Sequence, residues 1–136
     1  MSTAFSKEEK AAMRAAAAEA KAAKAGADLA AACDAAIGAM TGTDKDLAET
    51  LHALVLKHTS LTPKTWYGMP AYANAEGKTI VFFQSAAKFN VRYATIGFQP
   101  DARLDDGTLW PNAYAVTKLS AADKDRLVEL LKRAVG

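Results

Sequence analysis

The apolar residues of this chain change their spacing near Pro63, and this change constrains the fold more than any other feature. Before Pro63 they recur every three or four residues in alanine-rich segments, which is the period of an amphipathic helix. After Pro63 the chain becomes rich in β-branched and aromatic residues with a period of two, which is typical of strands. This arrangement predicts an α+β fold, with N-terminal helices and a C-terminal helix packed against an antiparallel sheet.

Two helices are predicted before residue 41. Ser6 and Glu9 have the spacing of a capping box, so the first helix should begin at residue 7, and Gly26 is a typical C-terminal stop. Its basic side chains form a stripe that we expect to be solvated, comprising Lys7, Lys10, Arg14, Lys21 and Lys24. The core face predicted for the second helix, residues 27–40, comprises Leu29, Ala32, Ala36 and Met40.

Two further helices flank the β-rich part of the chain. Thr43 or Asp44 can cap the third helix, which completes a helical part over about residues 6–60. Its predicted core face comprises Leu47, Leu51, Leu54, Val55 and His58. Ser120 and Asp123 can cap a last helix, over about residues 121–135. The side chains expected to face inward there are Leu127, Leu130, Leu131 and Val135.

The β-rich part extends over about residues 64–118. The segments KTIVFFQ (78–84) and NVRYATIGF (90–98) are predicted strands, and Gly77 lies where a hairpin turn before the first of them would need it. Because 78–84 is apolar on both faces, we expect it to be a central strand. LDDG (104–107) predicts a turn, and NAYAVTKL (112–119) predicts a further short strand.

Composition limits the classes of function. With 136 residues, 51% of them hydrophobic, the chain can bury one core, so residues 1–136 are expected to form a single domain. Its single cysteine, Cys33, excludes an internal disulfide, and a net charge of +2 gives no argument for nucleic acid. The N-terminus lacks the apolar core of a signal peptide, and no apolar run approaches the roughly 20 residues that span a bilayer. We therefore expect a cytoplasmic protein without a membrane partner.

An ordered set of motifs runs along the chain: TDKDLAETLHALV, TWYGMPAY, FFQ, KF, RYATIGF, LDDG and WPNAYAVTKL. With these motifs the chain resembles the YdhG-like family over essentially its whole length. These are small bacterial domains of largely unknown function, some of which are described as frataxin-like iron chaperones. The resemblance implies an α+β fold with an antiparallel sheet, and it supplies no catalytic residue.

The segment KTWYGMPAY (64–72) is the first candidate site. Gly68 allows a backbone bend and Pro70 fixes its own φ, so the segment holds Tyr67 and Tyr72 in a defined geometry. Two interpretations remain open: Trp66, Tyr67 and Met69 fill the core beneath the helices, or they form the wall of a pocket.

Lys88, Arg92 and Tyr93 form the second candidate site. In a strand, Arg92 would share a face with Ala94 and Ile96, where a guanidinium needs a carboxylate partner or an anionic ligand. Asp105 or Asp106 of the LDDG turn is the predicted partner. A turn also uses Asp for its own backbone hydrogen bonds, which is the alternative reading of this acidic pair.

The histidines and the cysteine are predicted to be structural. His52 and His58 are six residues apart on one helix, so they face different directions and cannot chelate a metal together. Cys33 has no cationic neighbour in sequence that would lower its pKa, so an inert buried thiol is expected.

No nucleotide loop, nucleophile elbow or zinc-protease motif is present, so binding is favoured over catalysis. The leading hypothesis is a small, anionic ligand or a protein partner, with Tyr67, Tyr72 and Trp110 as apolar wall and Lys88 with Arg92 orienting the charge. Frataxin-like iron binding is the alternative, and an unidentified enzyme is the third. Oxygen ligands for iron would come from Glu8, Glu9, Glu19, Asp105 and Asp106.

Overall fold

The computed structural model describes residues 5–24 and 28–136 of the chain. Its helices are α1 (Lys7–Lys24), α2 (Leu29–Gly38), α3 (Gly42–His58) and α4 (Ala121–Val135). Its strands are β1 (Thr62–Trp66), β2 (Met69–Ala73), β3 (Thr79–Gln84), β4 (Ala94–Phe98) and β5 (Ala113–Val116). The predicted α+β fold is thus confirmed. None of the helices in these described ranges is both long and apolar enough to span a bilayer.

The five strands form one antiparallel sheet in the order β1-β2-β3-β4-β5, so each strand pairs with its neighbours in sequence. The central position predicted for residues 78–84 is confirmed, because β3 lies between β2 and β4. A bulge between Tyr72 and Ala73 shifts the register of β2 against β3. Pro70 lies one residue outside the β2–β3 ladder, so the absence of its N–H costs no hydrogen bond between these strands.

The core lies between one face of the sheet and helices α2, α3 and α4. Strand pairing puts Tyr72 opposite Val81 and Val81 opposite Phe98, so these side chains project from the same face. The other buried side chains of this face are Phe83, Ala94, Ile96 and Val116. The helices contribute Cys33, Ile37, Leu47, Leu51, Val55, Leu127, Leu131 and Ala134.

Local hydrogen bonds fix the element ends that the sequence predicted. Ser6 and Glu9 exchange both capping-box hydrogen bonds at the start of α1, at 3.1 and 3.0 Å. Ser120 and Asp123 form the corresponding pair at α4. Gly77 has φ 81° in the turn before β3, as predicted. The predicted stop at Gly26 lies outside the described residues.

Several helix faces differ from the prediction. In α2 the buried residues are Cys33 and Ile37, whereas Leu29 and Ala32 of the predicted face are exposed. Alanine residues lie on every face of this helix, so the spacing of apolar residues alone does not identify the face that packs against the core. In α4, Leu127 and Leu131 are buried as predicted, but near the end of the helix Ala134 is buried and Val135 is exposed.

The third helix begins at Gly42, two or three residues earlier than predicted. Its N-cap is Thr41, whose side chain makes no capping hydrogen bond, so neither Thr43 nor Asp44 is the cap. Asp44 instead turns away from its own helix toward the loop after β3. The predicted core face of α3 is confirmed in part: Leu47, Leu51 and Val55 are buried, whereas Leu54 and His58 are only half-buried.

Candidate functional site

The segment KTWYGMPAY forms a tight β-hairpin. Trp66 pairs with Met69, which leaves Tyr67 and Gly68 as a two-residue turn between β1 and β2. Both turn residues have positive φ, 51° for Tyr67 and 80° for Gly68, as a type I′ turn requires. Sequence reasoning found the bend at Gly68 but missed the two strands, because Tyr is unusual at the first position of such a turn. The sequence signal for this hairpin is that two residues, Tyr67 and Gly68, separate the apolar residues Trp66 and Met69.

Glu19 of α1 holds the tip of this hairpin. Its two carboxylate oxygens accept hydrogen bonds from the backbone N–H groups of Tyr67 and Gly68, at 2.8 and 2.9 Å. Helix packing is close here, because a Cβ at Gly68 would lie 3.3 Å from the Cβ of Ala15. Such a Cβ would also lie 3.1 Å from Nζ of Lys88, so Lys88 reaches the hairpin tip from the β3–β4 loop. The hairpin, α1 and Lys88 therefore form one structural unit.

A cleft of about 500 Å³ lies between α1, α2 and β1, and we call it the hairpin cleft. The Tyr67 ring is 41% exposed and meets the Trp66 ring edge-on, with centroids 4.8 Å apart. Apolar surface predominates in the wall, and Lys64 provides an ammonium group. The residues lining the cleft include Ala16, Glu19, Asp28, Leu29, Ala32, Lys64, Thr65, Trp66 and Tyr67.

On the sheet face opposite the core, Trp66 packs on Phe82, with ring centroids 5.1 Å apart. The Phe82 ring lies over Gly97 of the neighbouring strand, where a Cβ would be 2.3 Å from its Cζ atom. Only glycine leaves room for this ring. A glycine within a strand is the sequence signal for such a close approach.

Tyr72 is fully buried, so it does not line the hairpin cleft. Its hydroxyl lies 2.9 Å from Nδ1 of His52 and 4.0 Å from Sγ of Cys33. Burial raises the pKa of Tyr72 and of Cys33 above their ordinary values. His52 also places Nε2 3.5 Å from the carboxylate of Asp34, which is exposed. The cysteine is buried as expected, and this chain of contacts links it to the surface.

Arg92 does not lie in a strand, because β4 begins at Ala94. Its guanidinium lies 5.1 Å from the centroid of the Tyr93 ring, and both side chains are exposed. The predicted ion pair with Asp105 or Asp106 is wrong: the pairs within 4 Å in the described ranges are His52–Asp34 and Lys78–Asp101. Exposure removes the physical need for a carboxylate partner.

A carboxylate does hold this loop, but it is Asp44. Its two oxygens accept hydrogen bonds from the N–H groups of Ala86 and Ala87, both at 2.9 Å. Asp44 is buried, and these bonds satisfy it without a cation. Sequence reasoning assigned Asp44 to a helix cap, because a short acidic side chain near a helix start has that local alternative.

The predicted site residues are thus divided among several clefts. Tyr67 lines the hairpin cleft, and Met69 is buried beside it in β2. Arg92 and Tyr93 line a second cleft near Gln84 and Thr95. A third, of about 180 Å³, is lined by Asp105 and Trp110. The structure therefore brings Lys88 to the Tyr67–Gly68 turn, next to Gly68, but leaves Arg92, Asp105 and Trp110 elsewhere.

The five carboxylates of the iron hypothesis do not form a cluster. Glu19 is engaged by the hairpin N–H groups, and Glu9 accepts a hydrogen bond from Ser6 N. Asp105 and Asp106 lie next to the turn at Gly107, which has φ 71°. Within residues 5–24 and 28–136, no three or more His, Cys, Asp or Glu side chains are placed to hold a metal ion.

Comparison with models of known protein families, with curated proteins and with solved structures finds no match to this chain.

Proposed function

We propose that the chain is a binding domain whose ligand is a small, planar and anionic molecule held in the hairpin cleft. The observation that carries the proposal is the conformation of Tyr67. Its φ of 51° is one that Asn and Gly tolerate far better than a bulky aromatic residue. Backbone strain of this kind is concentrated at ligand-binding and active sites, where the side chain it presents has a use.

The surroundings of Tyr67 support a planar ligand. The strained turn presents its ring beside Trp66 at a cleft that also contains Leu29, so a flat apolar molecule gains aromatic contact there. Glu19 fixes the turn by two hydrogen bonds, so the ring is held in place before a ligand arrives. A site organised in advance loses less entropy on binding.

The charges near the cleft support an anionic group on the ligand. Both acids that line it accept hydrogen bonds from backbone N–H dipoles, which offset part of their negative charge: Glu19 from the hairpin turn, and Asp28 from Ala31 N at 3.1 Å. Lys64 makes no ion pair within 4 Å in the described ranges, and Lys88 approaches the same hairpin tip. An ammonium group without a carboxylate partner is the complement of a carboxylate or phosphate.

A thermal-shift screen with small aromatic carboxylates and aromatic phosphates tests the proposal. We expect members of this set to raise the melting temperature of the parent protein, because a ligand that binds the folded state stabilises it. The shift should be lost in Tyr67→Asn and reduced in Lys64→Gln. Tyr93→Asn is the matched control, since it removes an exposed aromatic ring from another cleft. Equal shifts in Tyr67→Asn and in the parent, or no shift with any member of the set, would contradict the proposal.

A further inference from the structure

The two edges of the sheet differ in how they are protected. At the β1 edge, Trp66 and Met69 form the hydrogen-bonded pair that closes the hairpin, and such pairs alternate along the strand. Pro63 therefore points its nitrogen away from β2, where proline blocks the addition of another strand. Helix α2 also packs against β1. Within the described residues, β5 at the opposite edge has neither a proline nor a strand beside its outer side.

Hydrogen bonding identifies the free groups of β5. Phe98 N donates to Asn112 O at 2.8 Å, and the register continues from this pair to Val116 opposite Ala94. Because hydrogen-bonded pairs alternate, Tyr114 and Val116 bond to β4, whereas Ala113 and Ala115 point their N–H and C=O groups outward. Both alanines are exposed, and so is Thr117, which continues the alternation. An extended chain can therefore pair with this edge.

A groove accompanies the free edge. It lies between β5 and α4, has a volume of about 230 Å³, and we call it the β5–α4 groove. Its apolar lining comprises Ile96, Tyr114, Val116, Leu119, Leu127 and Leu130. In strand addition, main-chain hydrogen bonds provide affinity and pockets for alternate side chains provide specificity. An edge with outward N–H and C=O groups beside an apolar groove has both parts.

The charges around the groove are basic. Lys118 and Arg126 line it, and Arg92 lines the adjoining cleft together with Thr117. None of these three bases has an ion pair within 4 Å in the part of the chain that the structure describes. The same two linings contain two acids, Asp123 and Asp44, which accept hydrogen bonds from backbone N–H groups, so bases outnumber acids there. The edge thus carries positive charge that a negative partner would complement.

We infer that β5 is a docking edge for an extended acidic peptide segment of a partner protein. The segment pairs with Ala113 and Ala115 and inserts an apolar side chain into the β5–α4 groove. Its carboxylates lie against Lys118 and Arg126. This inference is independent of the ligand proposed for the hairpin cleft, because the two sites share no residue.

Fluorescence anisotropy with labelled synthetic peptides tests this docking edge. The probes are hexapeptides in which Glu alternates with one apolar residue, varied among Val, Ile, Leu and Phe, with Lys-containing counterparts as controls. We expect saturable binding of the acidic set that weakens with added salt, and at least about tenfold weaker binding of the basic set. Methylation of alternate peptide nitrogens should abolish binding, since it removes the main-chain donors while keeping the charge.

Ala115→Pro is the decisive variant. It removes one outward N–H but no bond of the β4–β5 ladder, so the fold should persist, and an unchanged melting curve checks this. Peptide affinity should fall about tenfold, while Ala115→Ser, which keeps the N–H, should bind as the parent does. Lys118→Gln and Arg126→Gln should each weaken binding about threefold.

Three results would overturn the inference. One is the absence of saturable binding with every acidic probe, and another is equal affinity of the parent and Ala115→Pro. The third is a concentration-dependent dimer in sedimentation of the protein alone that Ala115→Pro abolishes, because β5 would then pair with a second copy of the chain.

Discussion

At the scale of single residues, the left-handed conformation of Tyr67 opposes the local preference of its side chain. The left-handed conformation costs most residues roughly 1–2 kcal/mol. The cost is smaller for Asn and Asp, and it is smallest for Gly. The turn therefore uses a residue that stabilises it poorly but presents an aromatic ring at the hairpin cleft. Stability and binding should respond in opposite directions when that residue is changed.

Tyr67→Asn tests this opposition. Asn-Gly is a favoured pair for a type I′ turn, so we expect the free energy of unfolding to stay constant or to rise by up to about 1 kcal/mol. Ligand-induced thermal shifts should disappear in the same variant. Tyr67→Phe keeps the ring and removes a hydroxyl, and it should change stability by only a few tenths of a kcal/mol. Urea unfolding measures both; a loss above about 2 kcal/mol in Tyr67→Asn would mean that the ring is a structural element.

Gly97 is a residue-scale prediction on the sheet face opposite the core. Gly97→Ala places a Cβ 2.3 Å from the Phe82 ring, which must move. We expect a loss of about 1–3 kcal/mol, as for other overpacked sites. Gly38→Ala is the matched control, because nothing lies within 4 Å of its added Cβ and the residue ends a helix. That control should be neutral or stabilising in thermal melts; equal effects of the two substitutions would contradict the role given to Phe82.

The buried hydroxyl of Tyr72 predicts a pH dependence. The pKa of Tyr72 is raised by burial, while the unfolded chain ionises tyrosine near pH 10. The folded state therefore holds the Tyr72 proton more tightly than the unfolded chain does. The free energy of unfolding keeps its full value below about pH 10 and falls as pH rises above it, by up to about 1.4 kcal/mol per pH unit. The raised pKa of Cys33 also lowers the free energy of unfolding as pH rises, beginning near the ordinary pKa of a cysteine thiol.

Tyr72→Phe isolates the tyrosine contribution. At neutral pH it should cost about 1 kcal/mol, because Nδ1 of His52 loses its partner. Above pH 10 the variant should lose stability less steeply than the parent. Urea unfolding across this pH range measures the difference, and parallel pH profiles for the two proteins would show that Tyr72 ionises freely in the folded state.

At the scale of secondary-structure elements, α1 is joined to the hairpin by the Glu19 carboxylate. Hydrogen bonds to a charged group contribute about 1.5–3 kcal/mol each where buried, and Glu19 is only half-buried. We expect Glu19→Ala to lower the free energy of unfolding by about 1–2 kcal/mol. Glu19→Gln keeps one carbonyl acceptor and should lose about half as much. Lys21→Ala, an exposed change on the same helix, is the control in urea unfolding, and a loss equal to that of Glu19→Ala would show that the contact adds nothing.

Periodicity was sufficient to predict the helices α1, α3 and α4, the central strand β3 and the short strand β5. It failed where one pattern fits two structures. Alanine on every side of α2 concealed the face that carries Cys33 and Ile37, and the tight turn at Tyr67 concealed the strands beside it. The contacts of Glu19 and Asp44 join residues 48 and 42 positions apart, so no local rule could find them.

At the scale of the whole molecule, the sheet has a protected edge and an open one. The protected edge adjoins the hairpin cleft, and the open edge adjoins the β5–α4 groove. The core of one face is shared by α2, α3 and α4, so both sites rest on one packed unit. A ligand that stabilises either site therefore raises the stability of the whole domain.

The emission of Trp66 tests the binding proposal most directly, because this residue lines the hairpin cleft while Trp110 lines a different one. In a Trp110→Phe variant, all tryptophan emission comes from Trp66. Titration with the aromatic carboxylates and phosphates that shift the melting temperature should then change the intensity and wavelength of that emission saturably. The same titration of a Trp110→Phe, Tyr67→Asn double variant should give no saturable change. Two results would place the ligand outside the hairpin cleft and contradict the account. One is a saturable change of equal affinity in both proteins. The other is Trp66 emission that stays constant with ligands that raise the melting temperature.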